Sequence, residues 1–160
     1  MILLIGDTHN NEDAIKEISR IYKDKSLSAL IHLGDVTDFS MLEAFESFTC
    51  EKYLVKGNND ILDINNCTRL KLMGFDFSNP PFEIFVEGFG HIALMHEPYF
   101  INEFLEDSKT KYIFYSHTHA RENRKKNDKF IVNPGSLSAT ANFRYSYALI
   151  SKESVEFKTL

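Results

Sequence analysis

Tryptophan is absent from the 160 residues, cysteine occurs only twice, and 18 Lys and Arg are outnumbered by 23 Asp and Glu. Each shortage excludes something. Cys50 and Cys67 form no CxxC pair, so neither a disulfide framework nor a thiolate zinc site is indicated. A formal net charge of −5 argues against nucleic acid as a tight partner, since that affinity rests on neutralising phosphates with Lys and Arg. No apolar run approaches the roughly 18 residues that cross a bilayer, and no membrane partner is expected. No repeat or Ser/Gly-rich linker divides the chain. Met1-Ile2-Leu3-Leu4-Ile5-Gly6-Asp7 lacks a basic leader and a small-residue cleavage site, which makes the cytoplasm the expected location.

What is present fits one globular domain over residues 1–160: 43% hydrophobic and 26% charged, with 14 Phe to build the core. Ile2–Ile5, Ala29–Leu33 and Tyr53–Val55 read as strands. Between them, Ala14, Ile15, Ile18, Ile21 and Tyr22 follow a capping Asn11 at helical spacing, and Met41, Leu42, Phe45 and Phe48 mark a second helix. This β-α-β-α-β order predicts a parallel sheet covered by helices. The second half predicts short strands at Leu70–Leu72, Phe82–Val86, Ile92–Met95, Tyr112–Tyr115, Phe130–Val132, Tyr145–Ile150 and Val155–Lys158, with one helix near Tyr99–Glu106. The charge run Arg121–Lys129 reads as a solvated hairpin loop, within which Arg121 and Arg124 could steer phosphate; Arg144 is a third candidate. His32 reads as a packed core histidine, and the Phe and Tyr residues of 75–104 as core.

The polar residues concentrate at strand ends. One strand runs into Gly6-Asp7-Thr8-His9, the next into Gly34-Asp35, the third into Gly57-Asn58-Asn59-Asp60, and later ones into His96 and Ser116-His117-Thr118-His119. Open α/β sheets bind ligands beyond the carboxyl ends of their strands. Carboxylate, amide oxygen and imidazole suit Mn, Fe, Zn, Co or Ni. On a regular strand, Asp7-x-His9 and His117-x-His119 would each point to one face. Seven candidates (Asp7, His9, Asp35, Asn58, His96, His117 and His119) exceed the needs of one four-coordinate ion and suffice for two that share a ligand. Two dications about 3.5 Å apart repel by roughly 19 kcal/mol at an effective dielectric near 20, so an anion must lie between them. Asp35 is the candidate bridge, with a hydroxide as the second.

The order D-x-H, G-D, G-N-x-D, H, H-x-H resembles the calcineurin-like metallophosphoesterase superfamily. Asn133-Pro134-Gly135-Ser136 and the chain length resemble its small single-domain phosphodiesterase branch, which includes the retromer scaffold subunit. The resemblance implies an α/β fold, a four-layer α/β/β/α sandwich of two mixed β-sheets flanked by helices. It implies one metal on Asp7, His9, Asp35 and His119, and a second on Asp35, Asn58, His96 and His117. Mn²⁺ is the first expectation and Fe, Zn, Ni or Co the alternatives, with Asp60 fixing a ligand's orientation. The activity implied is hydrolysis of phosphoesters, in-line attack on phosphorus coming from a metal-bridging hydroxide, with Asn59, Asp35 and His96 at the reaction itself. A phosphoester small molecule is the expected partner, and a homodimer is allowed. The other readings are a catalytically weak interaction scaffold of the same fold and a phosphomonoesterase or nucleotidase.

The chain departs from the family pattern in places. Asn59 stands where many members carry His, and it can donate a hydrogen bond but deliver no proton. Glu97 and Ser116 stand where Gly is frequent, Glu97 being able to narrow the site or repel phosphate. Asn142-Phe143-Arg144 replaces a frequent Pro-Arg.

Overall fold

A computed structural model describes residues 1–138 and 145–160. Its first sheet has six strands in the order β11-β10-β1-β2-β3-β4: β1 (Ile2–Ile5), β2 (Ala29–His32), β3 (Glu51–Val55), β4 (Phe75–Ser78), β10 (Ser146–Ile150) and β11 (Val155–Thr159). The second has five in the order β5-β6-β7-β9-β8: β5 (Phe82–Val86), β6 (Gly90–Leu94), β7 (Thr110–Phe114), β8 (Glu122–Lys126) and β9 (Lys129–Asn133). Both are mixed. The run β1-β2-β3-β4 is parallel and β10 closes on β1 antiparallel, while β6-β7-β9 is parallel with antiparallel edges.

Alternation along the strands sorts the core into three packed interfaces. Leu3, Ile5, Leu30 and Leu54 face α1 (Glu12–Tyr22) and its neighbours, where Ile15, Ile18 and Phe45 are fully buried. Ile2, Leu4, Ile31 and Val55 face the second sheet and meet Ile92, Leu94, Phe114 and Val132. The outer face of that second sheet packs Ala93, Ile113 and Ile131 against α3 (Ile101–Glu106). Helices, sheet, sheet and helix form the four expected layers.

Three local expectations need correction. The segment around Met41–Phe48 is a 3₁₀ helix, Phe39–Phe45, instead of an α-helix. Its buried side chains Phe39, Leu42 and Phe45 recur every third residue, the period of 3₁₀ geometry, with Met41 buried beside them. Leu70–Leu72 is not a strand but the last turn of α2 (Ile64–Leu72), whose cap Asp63 accepts from the Asn66 amide. Only Leu70 is buried there, so the alternation Leu70-Lys71-Leu72 records one inward side chain and one exposed by chance of spacing. The strand at that point is the next segment, β4, unanticipated although Phe75 and Phe77 alternate. The charge run is a hairpin whose first arm is a strand, β8, with Asn127 and Asp128 at positive φ in the turn. Lys and Arg along an edge strand discourage pairing with a further chain.

Candidate metal centre

The carboxyl ends of β1, β2, β3, β6 and β7 meet along one edge of the two stacked sheets, and all seven candidate ligands lie there. They form a buried floor and an open rim. Asp7, Asp35 and His96 are the floor, at 0%, 2% and 1% exposure. Asn58 and His117 are exposed and His9 and His119 half-buried. Oδ1 of Asp7 is 3.4 Å from His119 Nε2 and 3.9 Å from Nε2 of both His9 and His96. Oδ2 of Asp35 is 3.5 Å from His9 Nε2 and 3.4 Å from His96 Nε2, placing this carboxylate between the two histidine groups. Asn58 Oδ1 is 3.0 Å from both His96 Nε2 and His117 Nδ1.

Electrostatics fit a cation here. Among the described residues, Asp7 Oδ1 is the one buried side-chain polar atom without a hydrogen-bond partner. Burying such an atom unmatched is costly. His96 Nδ1 lies 2.7 Å from the Leu33 carbonyl and donates to it, which turns the Nε2 lone pair of a neutral ring toward Asn58 Oδ1 and Asp35 Oδ2. Three acceptors then converge with no proton among them. Burial opposes a charge on His96, but Asp35, the Leu33 carbonyl and Asp7 outweigh it and raise its pKa. Burial raises the pKa of Asp7, against the Ser116 hydrogen bond and the nearby imidazoles. Burial acts likewise on Asp35, but hydrogen bonds from His96 and Asn59 prevail and hold it well below the usual carboxylate range. The donor set and the orphaned oxygen fit divalent metal ions, and Asp7, His9 and His119 form one candidate group and Asp7, Asp35 and His96 another.

Five of the seven candidates reach this arrangement through left-handed backbone, not as successive residues of strands. Asp7, His9, Asp35, His117 and His119 have φ of 47°, 41°, 56°, 67° and 56°. The same-face argument for Asp7-x-His9 and His117-x-His119 therefore fails, because both pairs lie beyond the last strand residue, where the chain has already turned. Left-handed conformers of non-glycine residues are unfavourable and persist only where the surroundings hold them. Asp60 supplies one brace. Its carboxylate accepts from the amides of Asp35, Val36, Thr37 and Gly57 at 2.8–2.9 Å, so it fixes main chain, including that of Asp35, and touches no imidazole. Gly57 must lack a side chain: a Cβ there would come within 2.2 Å of Asp35 N and Oδ1.

A second brace was not anticipated. Asn133 Nδ2 donates to the Ser116 carbonyl (2.9 Å) and to Thr118 Oγ1 (3.0 Å), and the Ser136 hydroxyl donates to the Asp7 carbonyl (3.0 Å). The Asn133-Pro134-Gly135-Ser136 turn thereby ties the His117–His119 loop to the Asp7 loop. Its visibility as a motif was the available signal.

Other candidates fall as follows. Asn59 turns its amide onto Asp35: its N–H donates to Oδ1 (2.9 Å) and its Nδ2 to Oδ2 (2.7 Å). Glu97 accepts from the exposed Tyr99 phenol, which raises the phenol's pKa. Arg124 pairs with Glu122 on β8, and the Arg121 guanidinium lies 5.8 Å from the centre of the Phe157 ring. Arg144, with Asn142 and Phe143, lies outside the described residues. His32 is wholly buried under the site, as expected of a core histidine. Among the aromatics read as core, Phe75, Phe89 and Phe104 are buried, while Phe85 and Tyr99 are 58% and 74% exposed. Among the described residues no helix is long and apolar enough to cross a membrane.

The family model for the calcineurin-like phosphoesterase superfamily domain matches residues 1–154. The phosphodiesterase MJ0936 of Methanocaldococcus jannaschii is 21% identical over 166 residues, covering 98% of this chain and 96% of that one. An archaeal phosphodiesterase of known structure superposes with a TM-score of 0.89 over 99% of both chains at 19% identity. Vps29 of Entamoeba histolytica, solved with Zn²⁺, superposes with a TM-score of 0.70 over 99% of this chain and 97% of its own at 16% identity.

Proposed function

This chain belongs to the calcineurin-like phosphoesterase superfamily, and from that premise we propose that it is a cytoplasmic, dimetal-dependent phosphodiesterase. The observation that carries the reading is Asp7 Oδ1, buried and unpartnered among His9, His96 and His119, with Asp35 spanning to the neighbouring group. Asp7, His9, Asp35 and His119 would hold one divalent ion, and Asp35, Asn58, His96 and His117 the other, Mn²⁺ being the first candidate. When bound, the pair would supply positive charge in excess of two carboxylates, polarisation of the phosphoryl oxygens and a water acidified toward pKa ~7.

The protein's own groups account for the rest. The floor is buried, so charges on Asp7 and Asp35 are less screened than at the surface. The rim is open on the side of Asn58, Asn59 and His117, leaving room for an anionic ester to approach. Asn59 binds Asp35 and has no proton to deliver, so the leaving oxygen departs without acid assistance, help that is typically worth about 10²–10⁴-fold. That favours diesters with stable leaving groups over monoesters of poor ones.

Hydrolysis of an activated aryl phosphodiester, followed with and without Mn²⁺, tests the reading. Turnover that requires the metal, disappears with a chelator and exceeds that on the matching monoester is expected. No metal-dependent turnover at any pH would overturn it and favour an interaction scaffold of the same fold.

A further inference from the structure

Ser116 is fully buried behind the cluster. Its hydroxyl donates to Asp7 Oδ2, and the His117 backbone N–H donates to the same oxygen at 3.0 Å. The two oxygens of one carboxylate are thus unlike: Oδ2 has two donors, while Oδ1 has none and faces three imidazoles. A carboxylate free to rotate could offer either oxygen, or both, to a cation. Two donors on one oxygen remove that freedom. We propose that Ser116 is a positioning residue that, together with the His117 amide, holds Asp7 by Oδ2 and presents Oδ1 alone as a one-armed ligand. This rests on the reading of the cluster as a divalent-cation site. Groups that orient a metal's ligands commonly change its affinity by about 10–100-fold when removed.

Gly6 gives an independent handle on the same hydroxyl. A Cβ at residue 6 would come within 2.5 Å of Ser116 Oγ, its tightest contact, and 3.2 Å of both Ser116 Cβ and Leu33 Cβ, and the backbone of Gly6 has no positive φ. Gly6→Ala therefore displaces the hydroxyl without deleting it.

The test is calorimetric titration of the metal-free full chain with Mn²⁺, with folding checked by circular dichroism. Wild type is expected to take up two ions. Ser116→Ala is expected to weaken one of the two binding steps by about 10–100-fold. Gly6→Ala should weaken the same step, and adding Ser116→Ala to Gly6→Ala should cost nothing further, because both remove one contact. If Ser116→Ala fails to fold, Gly6→Ala alone decides. Wild-type affinity at both steps in a folded Ser116→Ala or Gly6→Ala protein overturns the role of Ser116 while leaving the metal reading intact. A wild type that binds no ion overturns the metal reading and this inference with it.

Discussion

At the scale of single residues, His32 shows how the site constrains groups that never touch it. Its Nδ1 accepts from the Gly34 amide at 3.1 Å, so its proton is on Nε2, directed at Thr8 Oγ1 3.2 Å away. The Thr8 hydroxyl in turn donates to the Asp35 carbonyl. A second proton would face the Gly34 N–H. Burial pushes the His32 pKa down to about 4, against an ordinary value near 6.5. Between those values the unfolded chain binds the proton and the folded one does not. Stability is therefore lost as pH falls from 6.5 to 4, by about 3 kcal/mol in full, and is unaffected above 6.5. Urea unfolding at several pH values should show this component in wild type and lack it in His32→Gln. Equal pH dependence in both proteins would contradict the assignment.

At the scale of elements, the strands do the ordinary work and the loops after them carry the function. Strands ending in Gly-Asp, Gly-Asn or His were legible because a buried parallel strand is a short apolar run, and its polar terminus stands out against it. The left-handed turns were not legible: nothing in Asp7-Thr8-His9 announces a φ of 47°, since the long-range bonds to Gly34, Asp35 and Ser136 impose it. The misread segment Leu70–Leu72 has the same origin, because a half-exposed helix with one buried side chain leaves no period to read. β8 takes its strand form from its neighbour β9, with no apolar signal of its own, while β4 had the Phe75/Phe77 alternation but only four residues to show it. Asp60 gives the element-scale prediction. Its two oxygens accept four main-chain N–H groups across two loops. Asp60→Asn turns an NH₂ toward donors and leaves buried amides unmatched, at about 3 kcal/mol. A fall in Tm of roughly 6–12 °C is expected for a domain this size. A change below 2 °C would show the brace to be dispensable.

At the scale of the molecule, the site exists because two sheets stack face to face and bring the carboxyl ends of their strands to a common edge. Asp7 from one sheet meets Ser116 and His117 at the end of the other, and Asn58 meets His96 and His117 in the same way. The sequence order of the ligands was readable as a family pattern, but the seam that joins them is a property of packing between Ile2, Leu4 and Val55 on one side and Ile92, Leu94 and Phe114 on the other. The account's central claim is that this seam holds two cations with Asp35 between them. Anomalous diffraction from Mn²⁺-soaked crystals tests it most directly. Two peaks about 3.5–4 Å apart are predicted, one beside His9 and His119, the other beside Asn58, His96 and His117, with Asp35 touching both. A single peak, or peaks away from Asp7 and Asp35, would contradict it.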